Sequence, residues 1–355
     1  MNICIRVDSS IKIGTGHVMR CLTLADQLYQ QGHNISFICR EHEGNLCDII
    51  ERKGYKVYRL PKDHQFNDSS LLGVPWEVDA EQTASIISKQ LEPLDWLIVD
   101  HYQIDIQWES KLYSVAKKIM VIDDLADRHH VCDVILDQNL YHDMKSRYEK
   151  LVPHDSKKLF GPKYALLRKE FVEERKKLRP RNGELRRILV FFGGTDPTNE
   201  TEKVLESIRM IKREELFFDV VVGNTNPRKE YIEALSGQLS NVEFHCQINY
   251  MAALMNKADF SFGAGGSTTW ERCYLGLPTC VTIIAENQVE ATNAMESHGC
   301  IMNLGKSQNV TKYSYTELIN TITSKDLVQM SRNCLSLMEG CGTLFISSVL
   351  SSYFQ

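Results

Sequence analysis

The sequence predicts an α/β protein of two Rossmann-like, doubly wound domains that face each other across a cleft. Three observations carry that expectation. The chain has 355 residues, more than one hydrophobic core usually serves. Short apolar runs alternate with segments of helical period from the first residues onward, which is the pattern of β-α-β winding. After a charged interruption the same alternation begins again.

The first alternation runs through NICIRV, the helical HVMRCLTLADQLYQQG, HNISFICR, a helix from GNLCDIIERKG, and YKVYRL. Further strands are expected at DWLIVD, KIMVIDD and DVILDQ, each closing on polar or acidic residues where a parallel sheet presents its carboxyl edge. These make an N-terminal domain over residues 1–167. Residues 168–187, RKEFVEERKKLRPRNGELRR, are dense in charge, lack a sustained apolar face and contain Pro180 and Gly183. They read as an inter-domain linker. RILVFFGG, FDVVVG, VEFHC, ADFSFGAGG and TCVTII then build a second domain over residues 188–355.

Hydrophobic residues at 43% and charged residues at 25% are ordinary for a globular chain. A net charge of -5 supplies no basic field for a polyanion, so a nucleic-acid partner is not expected. No stretch reaches the roughly 20 apolar residues of a membrane helix, and the start, MNICIRVDSS, enters a strand without a signal-peptide layout. A cytoplasmic monomer without membrane insertion follows as the expectation. The eleven cysteines include no C-x-x-C pair, and several, such as Cys4, Cys21, Cys39 and Cys280, sit in apolar runs. Free, buried thiols are expected, with no disulfide, zinc or other metal.

Two glycine loops carry the chemistry expected of the second domain. DFSFGAGGSTTWERCYLGLP places Gly263, Gly265 and Gly266 after an apolar strand and before a helix capped by Ser267 or Thr268. Such a loop lets backbone N–H groups approach a diphosphate at the positive end of a helix. Glu271, in the first turn, is placed to accept hydrogen bonds from ribose hydroxyls. Without a ligand, the same glycines read as a tight turn and Glu271 as compensation of the helix dipole. Gly193, Gly194, Thr195 and Asp196 follow the strand ILVFF and add donors at the same sheet edge, which favours a bound phosphate.

In the first domain, strand 1 ends at Asp8, and the loop SSIKIGTGHVMR carries Gly14 and Gly16 immediately before His17. His17 then opens the first long helix, whose dipole disfavours an imidazolium and favours the neutral form a general base requires. Asp8 is the nearest residue to orient the other ring nitrogen. A purely structural histidine is the alternative. Asp100, His101 and Tyr102 close one strand, and Asp123 and Asp124 close another, so both groups are expected at the same crevice, with capping and loop hydrogen bonding as the commoner role for such residues. A divalent metal on Asp123 and Asp124 is disfavoured, because such sites usually share substrate phosphates, and these are expected on the other domain.

Laid out in this way, the chain resembles the UDP-sugar hydrolase family of pseudaminic acid biosynthesis, which acts on UDP-2,4-diacetamido-2,4,6-trideoxy-β-L-altropyranose. The resemblance spans nearly the whole chain and is carried by RVDSSIKIGTGHVMRCLTLA, LIVDHY at 97–102, FGPKYALLRKEF at 160–171, GGTDP at 193–197, and GAGGSTTWERCYLGLP with ENQ beyond it. That family is similar to the transferase that adds N-acetylglucosamine to the lipid-linked peptidoglycan precursor, which implies a glycosyltransferase-B architecture. The resemblance implies a UDP-sugar partner and no cofactor. Diphosphate would lie at Gly265, Gly266 and Ser267, with Gly194 and Thr195 beside them, ribose near Glu271 and uracil near Ile248. The sugar would meet the Gly14 and Gly16 loop, with His17 as catalytic base, and Tyr102 and Asn287 near the sugar. Asn287 also reads as an N-cap, since it precedes a helix. The implied reaction is inverting hydrolysis; an inverting UDP-sugar glycosyltransferase is the alternative.

Overall fold

The computed structural model describes residues 1–62, 70–91, 93–211, 213 and 215–354. The chain begins with β1 (Asn2–Val7), α1 (Gly16–Gln30), β2 (Asn34–Arg40), α2 (Cys47–Arg52), β3 (Lys56–Leu60), α3 (Trp76–Gln90), β4 (Leu94–Asp100), α4 (Ile106–Leu112), β5 (Ala116–Ile122), β6 (Val134–Asp137) and β7 (Lys157–Phe160). It continues with α5 (Lys169–Arg175), β8 (Arg187–Phe191), α6 (Glu200–Ile208), β9 (Phe217–Val222), α7 (Lys229–Ser236), β10 (Val242–Cys246), α8 (Met251–Lys257), β11 (Phe260–Ala264) and α9 (Thr268–Tyr274). The last elements are β12 (Thr279–Ile283), α10 (Val289–Ser297), β13 (Ile301–Lys306), α11 (Lys312–Thr321), α12 (Ser324–Leu337) and α13 (Gly342–Ser352).

Among the described residues the strands form two sheets, ordered β3-β2-β1-β4-β5-β6-β7 and β10-β9-β8-β11-β12-β13. Neighbouring strands are parallel throughout. Both orders run outward from the first strand of the sheet and then reverse, which is Rossmann topology. The reversal lies between β1 and β4 in one sheet and between β8 and β11 in the other. At that point the crossovers leave to opposite faces, so the loops after the two strands diverge and open a crevice at the carboxyl edge.

Side-chain alternation explains the layering. Ile3, Ile5 and Val7 of β1 face one core with Val18, Cys21 and Leu22 of α1, whereas Cys4 faces the other with Trp108 of α4. On that second face four charged groups are buried. Arg6 donates to Asp8 at 2.6 and 2.8 Å and to Asp79 at 3.2 and 2.7 Å. The backbone N–H of Arg40 donates to Asp8 at 2.6 Å, and its guanidinium to Asp79 at 2.6 Å. Burial alone would raise the carboxyls of Asp8 and Asp79, but Arg6 beside them holds both below the ordinary carboxylate range. The network ties β1, β2 and α3 beneath the crevice.

The domain boundaries differ from the sequence expectation at two places. The first compact unit comprises Met1–Asn139, Asp143–Leu166 and the segment from Cys341 onward; the second comprises Leu140–His142 and Leu167–Gly340. The charged stretch read as a linker therefore belongs to the second unit. Its helix α5 packs on α8 and α9, and Glu174 accepts from the Asn256 side chain at 2.7 Å. Long charged side chains there cover neighbouring helices with their stems and reach backbone carbonyls, which composition alone cannot distinguish from a solvated linker. The second correction concerns α13, which leaves the domain it follows in sequence and packs on α1. Ile346, Val349 and Leu350 join the N-terminal core, and the Leu350 carbonyl accepts from the buried Trp96 indole at 3.2 Å.

Contrary to the composition-based reading, the stretch Ser324–Ser352 is long enough for a membrane span and contains an 18-residue window with a mean hydropathy of 1.4. It is broken between α12 and α13, and these pack on α9 and α1 respectively, which accounts for its apolar content.

Replacing Ile346 or Leu350, both 0% exposed, by alanine is expected to destabilise the N-terminal unit by about 2–5 kcal/mol. Leu344→Ala, at a 46% exposed position of the same helix, is expected to cost under about 0.5 kcal/mol. Urea unfolding followed by Trp96 fluorescence reads the difference, and equal effects at the three positions would refute the docking of α13.

Candidate active site

Two carboxyl-edge regions contain the residues singled out from sequence, one in each unit. In the first, the loop after β1 is pinned by Ser10, whose Oγ accepts from Lys12 N at 3.1 Å and Ile13 N at 2.9 Å. Gly14, at φ +80°, turns the chain back onto the Ser10 carbonyl at 2.8 Å. A side chain there would be strained. Gly16 then opens α1, which places His17 in its first turn.

The ring of His17 is buried, and its Nδ1 lies 2.5 Å from Asp100 Oδ1. Arg20, one turn further along α1, grips the same carboxylate with Nε and Nη2, each at 2.6 Å, and reaches Asp124 at 3.0 Å. Burial alone would raise the Asp100 carboxyl, but the Arg20 guanidinium and His17 hold it well below the ordinary range. An ionised carboxylate only accepts hydrogen bonds, so Nδ1 donates to it, and Nε2 is the ring nitrogen that Asp100 does not engage. Tyr102 packs edge-on against His17, ring centroids 4.5 Å apart. Burial and the neighbouring Asp124 push its phenol up, so Tyr102 stays protonated and serves as a donor.

Asp8 does not orient His17. Val7 faces α1, so Asp8 turns to the opposite face of the sheet and pairs with Arg6. Asp100 is in step with Trp96 and Ile98, which face α1, and alternation therefore aims its carboxylate at the helix. His101 is also committed elsewhere. Its Nδ1 accepts from Gln103 N at 3.1 Å and its Nε2 lies 3.6 Å from Asp8, while burial pushes its pKa down to about 4. Asp123 pairs with Arg128 at 2.8 Å and accepts from Tyr148 at 2.8 Å, which leaves the Asp123 and Asp124 pair tied to cations and a phenol.

In the second unit, β8 and β11 pair with Phe191 opposite Gly263, which sets the two glycine loops side by side. Asp196, at φ +43°, caps α6 by accepting from Glu200 N at 3.0 Å and Thr201 N at 2.8 Å. Gly194 and Thr195 are thereby left half-buried at the edge. A Cβ at Gly265 would stand 2.5 Å from Thr292 Oγ1 and 3.2 Å from Gln288 Cβ, so α10 closes against this loop and only glycine fits. Thr292 Oγ1 is buried with no hydrogen-bond partner among the described residues. A buried hydroxyl of this kind beside a half-exposed loop is a donor awaiting an acceptor. Ser267 is exposed at the N-cap of α9, and its side chain makes no capping bond.

Glu271 stands in the first turn of α9 as expected, but its Oε1 accepts from Arg168 Nε at 2.9 Å. Arg168 lies in the stretch read as a linker, so no local pattern pairs the two residues. Ile248 is half-buried in the connection from β10 to α8, and Asn287 is exposed in the short turn Glu286–Gln288 after β12. The N-cap of α10 is Gln288, which removes the capping reading of Asn287. All strands of this sheet run parallel, so these loops share one edge. Arg20, Arg168, Gln288 and Thr292 were not picked out from sequence; the i, i+3 spacing of His17 and Arg20 on one helix face was the available signal for the first.

This arrangement defines a class: two Rossmann-like units with a histidine–aspartate pair on one and glycine loops on the other, the fold of B-type glycosyltransferases. MurG of Acinetobacter baumannii shares it with a TM-score of 0.69 at 12% identity over 99% of each chain. TcCGT1, crystallised in complex with UDP, shares it at 0.66 and 10% identity, again over 99% of each chain. In sequence, the chain resembles the UDP-2,4-diacetamido-2,4,6-trideoxy-β-L-altropyranose hydrolase of Campylobacter jejuni, with 29% identity over 260 residues, 73% of this chain and 83% of that one. It is also similar to the spore coat polysaccharide biosynthesis protein SpsG of Bacillus subtilis, 23% identical over 100% of this chain and 99% of that protein. An uncharacterized protein of Methanocaldococcus jannaschii is 28% identical over 301 residues, 82% of this chain, and the match spans 57% of the archaeal protein. No protein-family model matches the chain.

The shared grip on Asp100 has a stability consequence. A depressed carboxyl contributes stability above its unfolded pKa of about 3.9 and loses it as pH falls through the folded value. In Arg20→Met the main counter-charge is gone, so Asp100 protonates at higher pH. The acid limb of a urea-stability profile is expected to begin at higher pH in the variant than in the wild type; superimposable limbs would show that Arg20 does not hold the charge.

Proposed function

We propose that this protein hydrolyses a UDP-linked diacetamido-trideoxy sugar, UDP-2,4-diacetamido-2,4,6-trideoxy-β-L-altropyranose, to the free sugar and UDP. The observation that carries this reading is the 2.5 Å contact of His17 with a carboxylate kept ionised by Arg20. It is supported by the glycine loops of the other unit and by the name of the Campylobacter relative.

In this reading the C-terminal unit holds the nucleotide. Backbone N–H groups at Gly194, Gly265 and Gly266 and the hydroxyls of Ser267 and Thr292 receive the diphosphate. Glu271 takes the ribose by exchanging part of its bond with Arg168, and the backbone near Ile248 meets uracil. On the N-terminal unit, water gives a proton to His17 Nε2 as its oxygen attacks the anomeric carbon. Asp100 stabilises the imidazolium that forms, in the way a buried carboxylate serves a catalytic histidine. Tyr102 and Asn287 are assigned to the sugar, with Gly14 and Gly16 leaving room for it. The anomeric C–O bond breaks toward UDP, and attack from the opposite side inverts the configuration. Glycosidases pair two carboxyl groups because an alkoxide leaving group must be protonated. A nucleoside diphosphate leaves as a stabilised anion, so one base and a set of fixed donors suffice.

The second reading is an inverting glycosyltransferase with a hydroxyl acceptor in place of water, which the fold of the structural relatives favours. Reaction of the sugar nucleotide in H₂¹⁸O without acceptor separates the two. Label in the free sugar and none in UDP is the expected result, and absence of UDP release would move the assignment to transfer.

His17→Asn is expected to lower kcat by at least about 10²–10⁴-fold, the usual contribution of a general base, with the Kd for UDP unchanged within about 3-fold. Isothermal titration beside the turnover assay reads both, and a parallel loss of UDP affinity would make His17 a nucleotide ligand instead. Gly265→Ala should do the reverse. Its Cβ collides with Thr292, so UDP affinity is expected to fall about 10-fold or more, the equivalent of one lost hydrogen bond to a charged group, with a loss of stability of about 1–3 kcal/mol from the crowding.

A further inference from the structure

Three of the eleven cysteines meet at one point of the C-terminal unit. Cys273 comes from α9, Cys300 from the turn before β13 and Cys334 from α12, and their sulfurs all lie within 4.8 Å of one another. All three are buried. Their thiols reach backbone carbonyls as well as one another: Cys334 Sγ donates to Cys300 O at 3.1 Å, Cys273 Sγ to Cys334 O at 3.6 Å and Cys300 Sγ to His298 O at 3.8 Å. The turn that carries Cys300 is clipped to α12 by Asn333, whose side chain donates to His298 O at 3.1 Å and Gly299 O at 2.9 Å. The three sulfurs are therefore held by fixed backbone on three elements, not by one adaptable loop.

The surroundings of the cluster are cationic. Arg272, 1% exposed, adjoins Cys273 in α9 and donates to Ala264 O at 2.7 Å and Thr269 Oγ1 at 3.0 Å. Arg181 is half-buried and donates to Met255 O at 2.8 Å. Among the described residues neither guanidinium forms a salt bridge with a carboxylate, and the Nε of each is buried without a partner. Glu271 acts on Arg272 ahead of Cys273 and Cys334, and Asp259 acts on Arg181 ahead of Cys334, so both guanidinium groups lie within the field of a carboxylate and of the cluster.

We propose that Cys273, Cys300 and Cys334 form a three-coordinate thiolate site for a soft monovalent d¹⁰ cation, of which copper(I) is the biological example. Soft thiolates select such ions. A trigonal site with metal–sulfur bonds of about 2.3 Å, the value for thiolates on the neighbouring d¹⁰ ion zinc, needs sulfurs about 4 Å apart. The 4.8 Å limit contracts to that by less than about 1 Å. Binding forms three metal–sulfur bonds and releases the thiol protons to solvent. Three thiolates around a monovalent ion carry two net negative charges, which Arg181 and Arg272 offset. A zinc ion would lack the fourth ligand of a closed site.

The test uses the full chain, reduced and stripped of metal under anaerobic conditions, then titrated with copper(I) against a chromophoric competing chelator. One tightly held equivalent with a thiolate-to-metal charge-transfer band is expected. Cys300→Ser should weaken it by more than the roughly 10–100-fold that loss of an outer-shell partner costs. No retention against the chelator, or equal retention in the variant, overturns the proposal in favour of packing thiols or of the other eight cysteines. Should the variant fail to fold, X-ray absorption at the copper edge of the wild-type protein decides: three sulfur neighbours support the site, and two or four refute it. Tighter binding of cadmium(II) than of copper(I) would refute the choice of a monovalent ion.

Discussion

The rest of the structure depends on a topological constraint, the reversal of strand order in each parallel sheet. Between β1 and β4, and again between β8 and β11, the crossovers part to opposite faces. The loops that follow those strands cannot pack on one another, and whatever polar groups they carry face an opening. His17, Asp100 and Tyr102 follow β1 and β4 in one unit. Gly194, Thr195, Gly265 and Gly266 follow the corresponding strands, β8 and β11, in the other. The same position in two copies of one topology carries two different sets of residues, a histidine–aspartate pair in one and glycine loops in the other.

The first of these positions is set by the buried charges around it. Arg6, Asp8, Arg40 and Asp79 form a closed network with two positive and two negative groups, all at most 1% exposed. Removing one partner from such a network leaves an uncompensated buried charge, at about 3–5 kcal/mol. It fixes the ends of β1 and β2 and thereby the start of the loop that delivers His17. Above it, Arg20 and His17 divide one carboxylate. The two networks lie on opposite faces of the sheet, and strand alternation alone decides which aspartate belongs to which.

That alternation also shows how far the sequence was legible. The two-sheet architecture followed from periodicity because parallel strands are buried on both faces and read as near-continuous apolar runs. The glycine loops were legible as strand–glycine–helix junctions. Asp8 was chosen over Asp100 because it is nearer to His17 in sequence, although counting the phase of Trp96 and Ile98 assigns Asp100 to the α1 face. The pairing of Glu271 with Arg168 had no local signal, since it joins residues 103 apart in sequence. The same holds for α13, whose apolar face is complementary to α1 but whose sequence position suggests the other unit. The thiol cluster was equally hidden, because its ligands come from three distant elements with no recurring spacing.

The two helix starts pose opposite electrostatic problems. At α9 an anion is favoured by the backbone N–H groups of the glycine loop and by the helix end, so the dipole and the proposed diphosphate agree. At α1 the same dipole opposes positive charge on His17 by about 0.3–1 kcal/mol. A hydrogen bond to a charged partner such as Asp100 contributes about 1.5–3 kcal/mol, so the carboxylate outweighs the dipole when the imidazole accepts a proton. In the proposed reaction Asp100, held in place by Arg20, offsets the charge that develops on the imidazole as water gives up its proton. In that proposal the buried carboxylate, and not the helix start, decides the electrostatics at His17.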